Sequence, residues 1–377
     1  MPVLFGRVLS DGVEWPPCRI EVEVGRIARI DAFGSSKGAD VVAEDGWIAP
    51  GLVDLQVNGA GGVDLTSADR PDAAVAEVAR MLVRRGVTAF CPTIVSSPPE
   101  AILERLPALA PRAHHGGASS LGAHVEGPFI SPRAPGVHDP GAIRPPTLAE
   151  VERWLAGAPP SIVTLAPELP GALEAIARLR AAGVVVSLGH SAADAAEARA
   201  GLAAGATMGT HLFNAMPPLH HRAPGLVGAL LVGAATIGLL ADGVHVDRLA
   251  LELAIRAAGP DRVALVSDAV AAAGAPPGPV RLGGQTVFSD GVSVRRADGT
   301  LAGSAAMLDL GLRNVRAWCP WLCRARVVQM ATATPAGALG RRARVDVGQP
   351  ADLVVLDRDW NVAATLVGGE IVFRRSG

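Results

Sequence analysis

Short apolar segments alternate with helical segments through the middle of this chain, and the alternation limits the folds it can adopt. Eight apolar segments are too short for buried helices and most are rich in β-branched residues, so we interpret them as strands. They cover residues 51–58, 86–94, 121–127, 162–167, 183–190, 206–213, 237–245 and 262–269. Segments rich in Ala, Arg, Glu and Leu lie between most of them and favour helices, for example 71–85, 147–156, 171–182, 193–204 and 247–258.

The order of these elements predicts an α/β fold. Helix starts are indicated by Ser191 and Asp247, and helix ends by Gly86, Gly183 and Gly205. Eight strand–helix units over roughly 250 residues are typical of a closed (β/α)8 TIM-like barrel. An open doubly wound sheet is the alternative, but it would usually have fewer strands and a phosphate-binding glycine turn near its start.

Both ends of the chain predict short strands instead. Alternating apolar and polar residues at 19–24 indicate a half-buried strand, and Gly368-Gly369 between two apolar segments indicates a hairpin. We therefore expect a small β-sandwich domain built from residues 1–48 and 345–377, with the barrel occupying residues 49–344.

Composition excludes several classes of protein. Hydrophobic residues make up 49% of the chain, which argues against disorder, and a net charge of −2 gives no reason to expect nucleic acid as a partner. No apolar stretch predicts a membrane span or a secretory signal, and the four cysteines form no zinc or disulfide pattern. A cytoplasmic protein with reduced thiols is the expectation.

Polar side chains stand at the ends of six predicted strands, where a barrel enzyme places its chemistry. They are Gln56, Asn58, Glu126, His190, His211, Asn214, Asp242, His245 and Asp268. Each has a structural alternative, since a lone histidine is often only hydrogen-bonded and Asp268 could cap a helix. Together, one carboxylate and two imidazoles match the three protein ligands of a catalytic metal site, and a nearby aspartate could act as a base.

Seven motifs, in order along nearly the whole chain, carry a family resemblance. They lie at 50–59, 124–128, 188–191, 210–216, 241–245, 266–269 and 301–304. The series resembles the amidohydrolase superfamily and, within it, the family of N-acetylglucosamine-6-phosphate deacetylases.

The resemblance implies one divalent metal ion per subunit, held by Glu126, His190 and His211. Many amidohydrolases carry two histidines at the end of strand one, which help to hold a second metal. Here Gln56 and Asn58 take those positions, and amides are poor ligands for transition metals. Zinc or iron(II) would suit the remaining ligands.

The resemblance also implies a hydrolytic mechanism in which metal-bound water attacks the acetamide. Asp268 matches the family's general base, which then donates the proton to the leaving nitrogen, and His138 matches its oxyanion donor. Family members bind the sugar phosphate through positions that match Val137, His138, Asn214, Ala215, Arg222, His245, Leu301, Ala302 and Gly303. The family is usually a homodimer, and a phosphate contact can come from the neighbouring chain.

Three functions remain open at this point. The first is hydrolysis of N-acetyl-D-glucosamine 6-phosphate to D-glucosamine 6-phosphate and acetate. The second is the same chemistry on the galactosamine isomer or on another amide. The third is a barrel that kept the fold without catalysis, since fold alone does not establish function.

Overall fold

The computed structural model describes residues 2–376, and its centre is a barrel of eight parallel strands. The strands are Leu52–Val57, Val87–Ile94, His124–Glu126, Ile162–Leu165, Val185–Leu188, Met208–Gly209, Thr236–Leu239 and Val263–Leu265. They pair in chain order, and a parallel bridge between Val57 and Ala269 brings the first and eighth strands together. The (β/α)8 barrel is therefore confirmed, and the open doubly wound alternative was wrong.

Within residues 2–376, ten α-helices and one 3-10 helix accompany the strands. The α-helices are Pro71–Leu82, Pro99–Leu109, Leu148–Ala156, Ala172–Ala181, Ala195–Ala203, Gly225–Val232, Arg248–Ala258, Leu308–Trp318, Arg324–Gln329 and Ala333–Ala338, and the 3-10 helix is Val83–Arg85. No helix within residues 2–376 is long and apolar enough to cross a membrane.

Local signals place the helix ends. Asp247 caps its helix as predicted, since its side chain accepts a hydrogen bond from the backbone N–H of Leu249. The helix expected to start at Ser191 begins at Ala195 instead, because Asp194 and Glu197 form a capping box there. Ser191 is used by the loop between strand and helix.

A seven-stranded sheet joins both ends of the chain, which confirms the small β domain. Its strands are Val3–Ser10, Val13–Glu23, Arg26–Asp31, Val41–Pro50, Leu353–Leu356, Val362–Val367 and Glu370–Arg374. It encloses its own apolar cluster, which includes Leu4, Ile20, Ile48 and Leu353. The domain boundaries at 48/49 and 344/345 stay a prediction.

A four-stranded antiparallel sheet follows the eighth barrel strand and was not predicted. Its strands are Gly278–Leu282, Gln285–Ser289, Ser293–Arg295 and Leu301–Ser304. The last strand pairs with the segment after the barrel, where the N–H of Ser304 donates to the carbonyl of Asp268 at 2.9 Å. This inserted sheet therefore lies at the C-terminal mouth of the barrel. Shorter pairings occur at Gly59–Ala60 with Val63–Asp64, and at Ser119–Ser120.

The predicted hairpin at Gly368-Gly369 gives a test of packing in the terminal sheet. Both glycines have positive φ, 55° and 80°, so alanine at either position is strained by about 1–2 kcal/mol. An added Cβ at Gly369 would also lie 2.8 Å from the Cα of Gly25, whereas one at Gly368 meets nothing within 4 Å. We expect Gly369→Ala to lower the unfolding temperature clearly more than Gly368→Ala, as measured by differential scanning calorimetry. Equal shifts would contradict the tight packing at Gly25.

Candidate active site

One cavity at the barrel mouth collects most of the predicted site residues. Glu126 ends the third strand, and Asn58, His190, His211 and Asp268 follow other strands within three residues. These five line the cavity together with His138, Val137, Asn214, Ala215, His245, Leu301 and Gly303. Chemistry-bearing groups from six strands and the inserted sheet thus face one space.

Backbone strain is concentrated at this cavity. Four of the eight non-glycine residues with positive φ among residues 2–376 line it, namely His190, His211, Ala215 and Asp268, and Phe213 lies between two of them in the chain. Such conformations cost on the order of 1–3 kcal/mol each, and they persist only where surrounding packing enforces them. Observed strain of this kind points to a functional site.

The three predicted metal ligands lie in direct contact with each other. Nε2 of His211 is 2.9 Å from Oε1 of Glu126 and 3.0 Å from Nε2 of His190, and His190 Nε2 is 3.4 Å from the same oxygen. All three side chains are buried. Four-coordinate zinc with bonds of 2.0–2.1 Å would place neighbouring ligand atoms about 3.3 Å apart, which these separations approach.

The hydrogen bonds around these rings leave acceptor atoms facing each other. Nδ1 of His190 lies 3.0 Å from the carbonyl oxygen of Ala134 and must donate to it, so in the neutral ring Nε2 carries a lone pair. That lone pair faces the Glu126 carboxylate and the His211 ring. Nδ1 of His211 is buried without a partner. Burial acts to raise the pKa of Glu126, but when the two rings are protonated their hydrogen bonds and charge outweigh burial and hold the pKa of Glu126 well below its usual range.

A cation at the centre of these atoms satisfies all three acceptors, so the residues fit a divalent metal. His138 also offers a ligand atom, within 4.8 Å of those of Glu126 and His190. Its Nδ1, however, accepts a hydrogen bond from the backbone N–H of Ser96, and the nitrogens that contact Glu126 belong to His190 and His211. We therefore keep His138 outside the ligand set.

Amide donors occupy the positions where a second metal would need ligands. Nε2 of Gln56 donates to Oε1 of Glu126 at 2.9 Å and to Oδ1 of Asp268 at 3.0 Å. Nδ2 of Asn58 donates to the same oxygen of Asp268 at 2.7 Å. N–H groups directed at these carboxylates repel a cation, so this arrangement favours one metal.

Asp268 is a buried carboxyl group next to another carboxylate. Burial, followed by the charge of Glu126, raises the pKa of Asp268 to about 8. Both amide donors bind Oδ1, which leaves Oδ2 to exchange a proton. A group of this kind can take up and release protons near neutral pH.

His138 is fixed as a hydrogen-bond donor. Because Nδ1 accepts from the N–H of Ser96, and lies 2.7 Å from the hydroxyl of the same residue, the neutral ring carries its proton on Nε2. Burial, followed by the nearby His190 ring, lowers the pKa of His138 to about 3. The ring is therefore neutral at physiological pH and presents one N–H.

A chain of buried hydrogen bonds supports the site from inside the barrel. His124 Nδ1 donates to the carbonyl of Leu55 at 2.9 Å, so its Nε2 accepts from the hydroxyl of Thr164 at 2.7 Å. The hydroxyl of Thr164 then accepts from Thr210, which accepts from Ser187, at 2.7 and 2.6 Å. This chain links five strands just below the ligands and limits their movement.

The remaining predicted residues differ in position. His245 lies at the cavity with Nδ1 bonded to Oδ2 of Asp242 at 2.7 Å, which directs its other nitrogen away from that carboxylate. Ala302 is fully buried behind Leu301 and Gly303. Arg222 is exposed on a loop and does not line the cavity.

Three supporting residues were missed by the sequence analysis. Ser96 follows the second strand and Glu168 follows the fourth, so the strand-end rule could have found both. Glu168 accepts hydrogen bonds from Ser191 Oγ and Ala192 N, at 2.7 and 2.6 Å, and thereby fixes the loop after His190. Gln285 donates from Nε2 to the carbonyl of Val137 at 2.9 Å, but it belongs to the inserted sheet and no sequence signal identified it.

Comparison with known proteins gives a consistent result. The model of the amidohydrolase family matches residues 47–372. An N-acetylglucosamine-6-phosphate deacetylase from Danio rerio is 40% identical over 89% of this chain and 86% of its own length. The deacetylase of that name from Vibrio furnissii is 36% identical over 93% of this chain and 89% of its own length.

A solved structure agrees over almost the full length. It is an N-acetyl-D-glucosamine-6-phosphate deacetylase from Mycobacterium smegmatis, an aspartate-to-alanine variant in complex with N-acetyl-D-glucosamine 6-phosphate. It superposes with a TM-score of 0.92 at 35% identity and covers 98% of this chain and 99% of its own.

The cluster predicts metal content that can be measured directly. We expect purified protein to hold one divalent ion per chain. His211→Ala should weaken metal affinity by more than ~10–100-fold, which is the cost of losing a residue that only hydrogen-bonds to a metal ligand. His220→Ala, on an exposed loop away from the cavity, is the matched control and should keep the ion. The measurement is metal analysis by mass spectrometry after dialysis. Equal metal content in the two variants would exclude His211 as a ligand.

Proposed function

The chain belongs to the amidohydrolase family and groups within it with the N-acetylglucosamine-6-phosphate deacetylases, and we propose that it hydrolyses N-acetyl-D-glucosamine 6-phosphate to D-glucosamine 6-phosphate and acetate. The observation that carries this proposal is the contact of Glu126, His190 and His211 beside Asp268 in one buried cavity. An acetamide resists hydrolysis because its carbonyl is a weak electrophile and its amine is a poor leaving group. The cavity offers a group for each difficulty.

Glu126, His190 and His211 would hold one divalent ion, with zinc or iron(II) suited to two imidazoles and a carboxylate. Such an ion supplies Lewis-acid activation, lowering the pKa of water from ~15.7 toward ~7 and polarising a carbonyl. Gln56 restrains Glu126 and Asp268 at a fixed separation, because one amide group donates to both carboxylates.

Asp268 is proposed to move the proton of the reaction. Its free Oδ2 takes a proton from the attacking water and then delivers it to the sugar nitrogen as the carbon–nitrogen bond breaks. Burial, which raises its pKa, gives the carboxylate the proton affinity that both steps need. A positive charge at the neighbouring ligand site would act in the opposite direction and keep Asp268 ionised in the resting enzyme.

His138 is proposed to stabilise the negative charge that develops on the carbonyl oxygen. Its neutral ring donates from Nε2, and Ser96 together with the Gln285 bond to Val137 holds the ring and its loop in place. A fixed donor of this kind is worth ~2.7–4 kcal/mol of barrier.

The sugar would lie between the loop at Asn214 and Ala215 and the turn at Leu301 and Gly303, with His245 nearby. No lysine or arginine lines the cavity within the described part of the chain, yet the substrate carries a phosphate dianion. Arg222, exposed on its loop, would supply the missing cation to the cavity of a second copy of this chain. We accordingly propose a homodimer.

Acetate release from four sugars tests the function. We expect a kcat/KM for N-acetylglucosamine 6-phosphate that exceeds those for its galactosamine isomer and for both unphosphorylated sugars. Arg222→Ser should lower turnover of the phosphorylated substrate alone, because a charge-assisted pair worth ~1.5–3 kcal/mol is lost. Arg199→Ser, an exposed arginine on the helix Ala195–Ala203, is the control. No acetate from any of the four sugars would overturn the proposal.

Mixing two impaired variants tests the second copy. In a heterodimer of Arg222→Ser with Asp268→Asn, one cavity has an intact Asp268 and an intact neighbouring Arg222. Activity of the mixture above that of either variant alone would support a contact between copies, and its absence would place Arg222 within its own chain or outside the site.

Replacement of the proposed base gives the fourth test. Asp268→Asn keeps the shape of the side chain and is outside the ligand set, so we expect it to keep the metal and to lose ~10²–10⁴-fold in kcat. Asp298→Asn on an exposed loop serves as the matched control. The measurement combines steady-state kinetics with metal analysis on the same preparations. A kcat within a few-fold of the original protein, with metal retained, would remove Asp268 from this role.

A further inference from the structure

A second cavity lies between the barrel and the seven-stranded sheet that joins both ends of the chain. Its walls are the end of the helix Pro71–Leu82 with the 3-10 turn Val83–Arg85, the helix Leu308–Trp318 and the strands Val362–Val367 and Glu370–Arg374. It has a volume of about 570 Å³, within the range of small-molecule sites, and shares no lining residue with the active-site cavity. We call it the interdomain cleft.

Positive charge is concentrated in the interdomain cleft. Arg84, Arg85, Arg313 and Arg375 line it, and Asp309 is the one carboxylate among its described lining residues. Arg85 and Arg313 share a single oxygen of Asp309, at 3.5 and 3.0 Å. Arg375 pairs with Asp357 outside the cleft, and Arg84 makes no ion pair within residues 2–376.

Helix-end electrostatics explains only part of this cluster. Arg84 and Arg85 lie in the last turn of a helical segment, where cations offset the helix dipole. Arg313 lies within another helix and Arg375 follows a strand of a different sheet, so neither is there for that reason. Four arginines from three parts of the chain line one space, and three of them share only two carboxylates, Asp309 and Asp357. A bound anion would balance the remaining positive charge.

Part of the lining of the cleft is apolar. Met81, Met307 and Phe373 provide two thioethers and an aromatic ring. Guanidinium groups bind phosphate in a fork, whereas thioethers and aromatic rings pack against flat organic groups. We infer that the interdomain cleft is a second ligand site, which binds a small phosphorylated molecule with a flat ring, of the nucleoside phosphate class.

Backbone hydrogen bonds connect the cleft to the active site. Gly274 lies in the cleft wall at the end of a segment that follows the eighth barrel strand. In this segment the carbonyl of Ala273 accepts a hydrogen bond from the backbone N–H of Gly61 at 2.8 Å, and the carbonyl of Ala269 accepts one from the backbone N–H of Asn58 at 2.7 Å. Asn58 in turn donates to Asp268. A ligand that orders this segment would therefore alter turnover. This effect on turnover rests on the proposed function, whereas binding of the ligand to the cleft does not.

Calorimetric titration with ADP tests the site. The protein is used with its metal and with saturating D-glucosamine 6-phosphate, so that the active-site cavity is filled, and metal content is checked afterwards. We expect ADP to bind with one site per chain, and Arg84→Ser to weaken it about tenfold, as loss of a charge-assisted phosphate contact would. Arg84 is exposed and unpaired, so the variant should fold normally. Arg199→Ser is the control and should bind as the original protein does.

Other outcomes would decide against the proposal. No binding of ADP at millimolar concentration, equal affinity in Arg84→Ser, or loss of binding when D-glucosamine 6-phosphate is present would each overturn the second site. Binding with no change in the rate of acetate release would overturn the connection to Asp268. Because binding is measured independently of activity, a protein that binds ADP but releases no acetate would refute the proposed function alone.

Discussion

The arrangement of the candidate active site depends on the contact between the ring nitrogens of His190 and His211. Two ring nitrogens 3.0 Å apart, next to a carboxylate and buried from water, need either protons that they donate to Glu126 or a cation between them. The hydrogen bond from His190 to the carbonyl of Ala134 places the proton of the neutral ring on Nδ1, which leaves Nε2 free to bind a cation. A metal ion would bind all three groups at once, and the barrel holds them in place for one.

The barrel can impose this arrangement because its interior is rigid at this level. Strained φ angles at His190, His211 and Asp268 would relax in a loosely packed protein. Below them, the hydrogen bonds from Ser187 through Thr210 to Thr164 fix the strands in register, and apolar packing fills the lower half. Stability in the lower barrel thus offsets strain at the mouth.

The sequence predicted what depends on local pattern. Strand ends carry information about the site because parallel strands deliver their C-terminal residues to one mouth, which is why Glu126, His190 and Asp268 could be identified. Gln285 could not, because its contact with Val137 spans 148 residues and depends on how an inserted sheet folds back. Arg222 lies outside the cavity of its own chain, so the fold of a single chain does not account for its predicted role in phosphate binding. The start of the fifth helix was misplaced because Asp194 and Glu197 make a stronger cap than Ser191.

The amides of Gln56 and Asn58 fit the proposal of a single metal. A second cation beside Asp268 would stabilise the carboxylate and lower its pKa, which weakens it as a base. The N–H groups of Gln56 and Asn58 stabilise the same carboxylate less, since they carry only partial charge. Asp268 thereby keeps the proton affinity that the proposed transfer from water to the leaving nitrogen requires, a step for which a pKa near the working pH is optimal. With amides and not imidazoles at these two positions, the proposed base would be stronger than it would be beside a second metal.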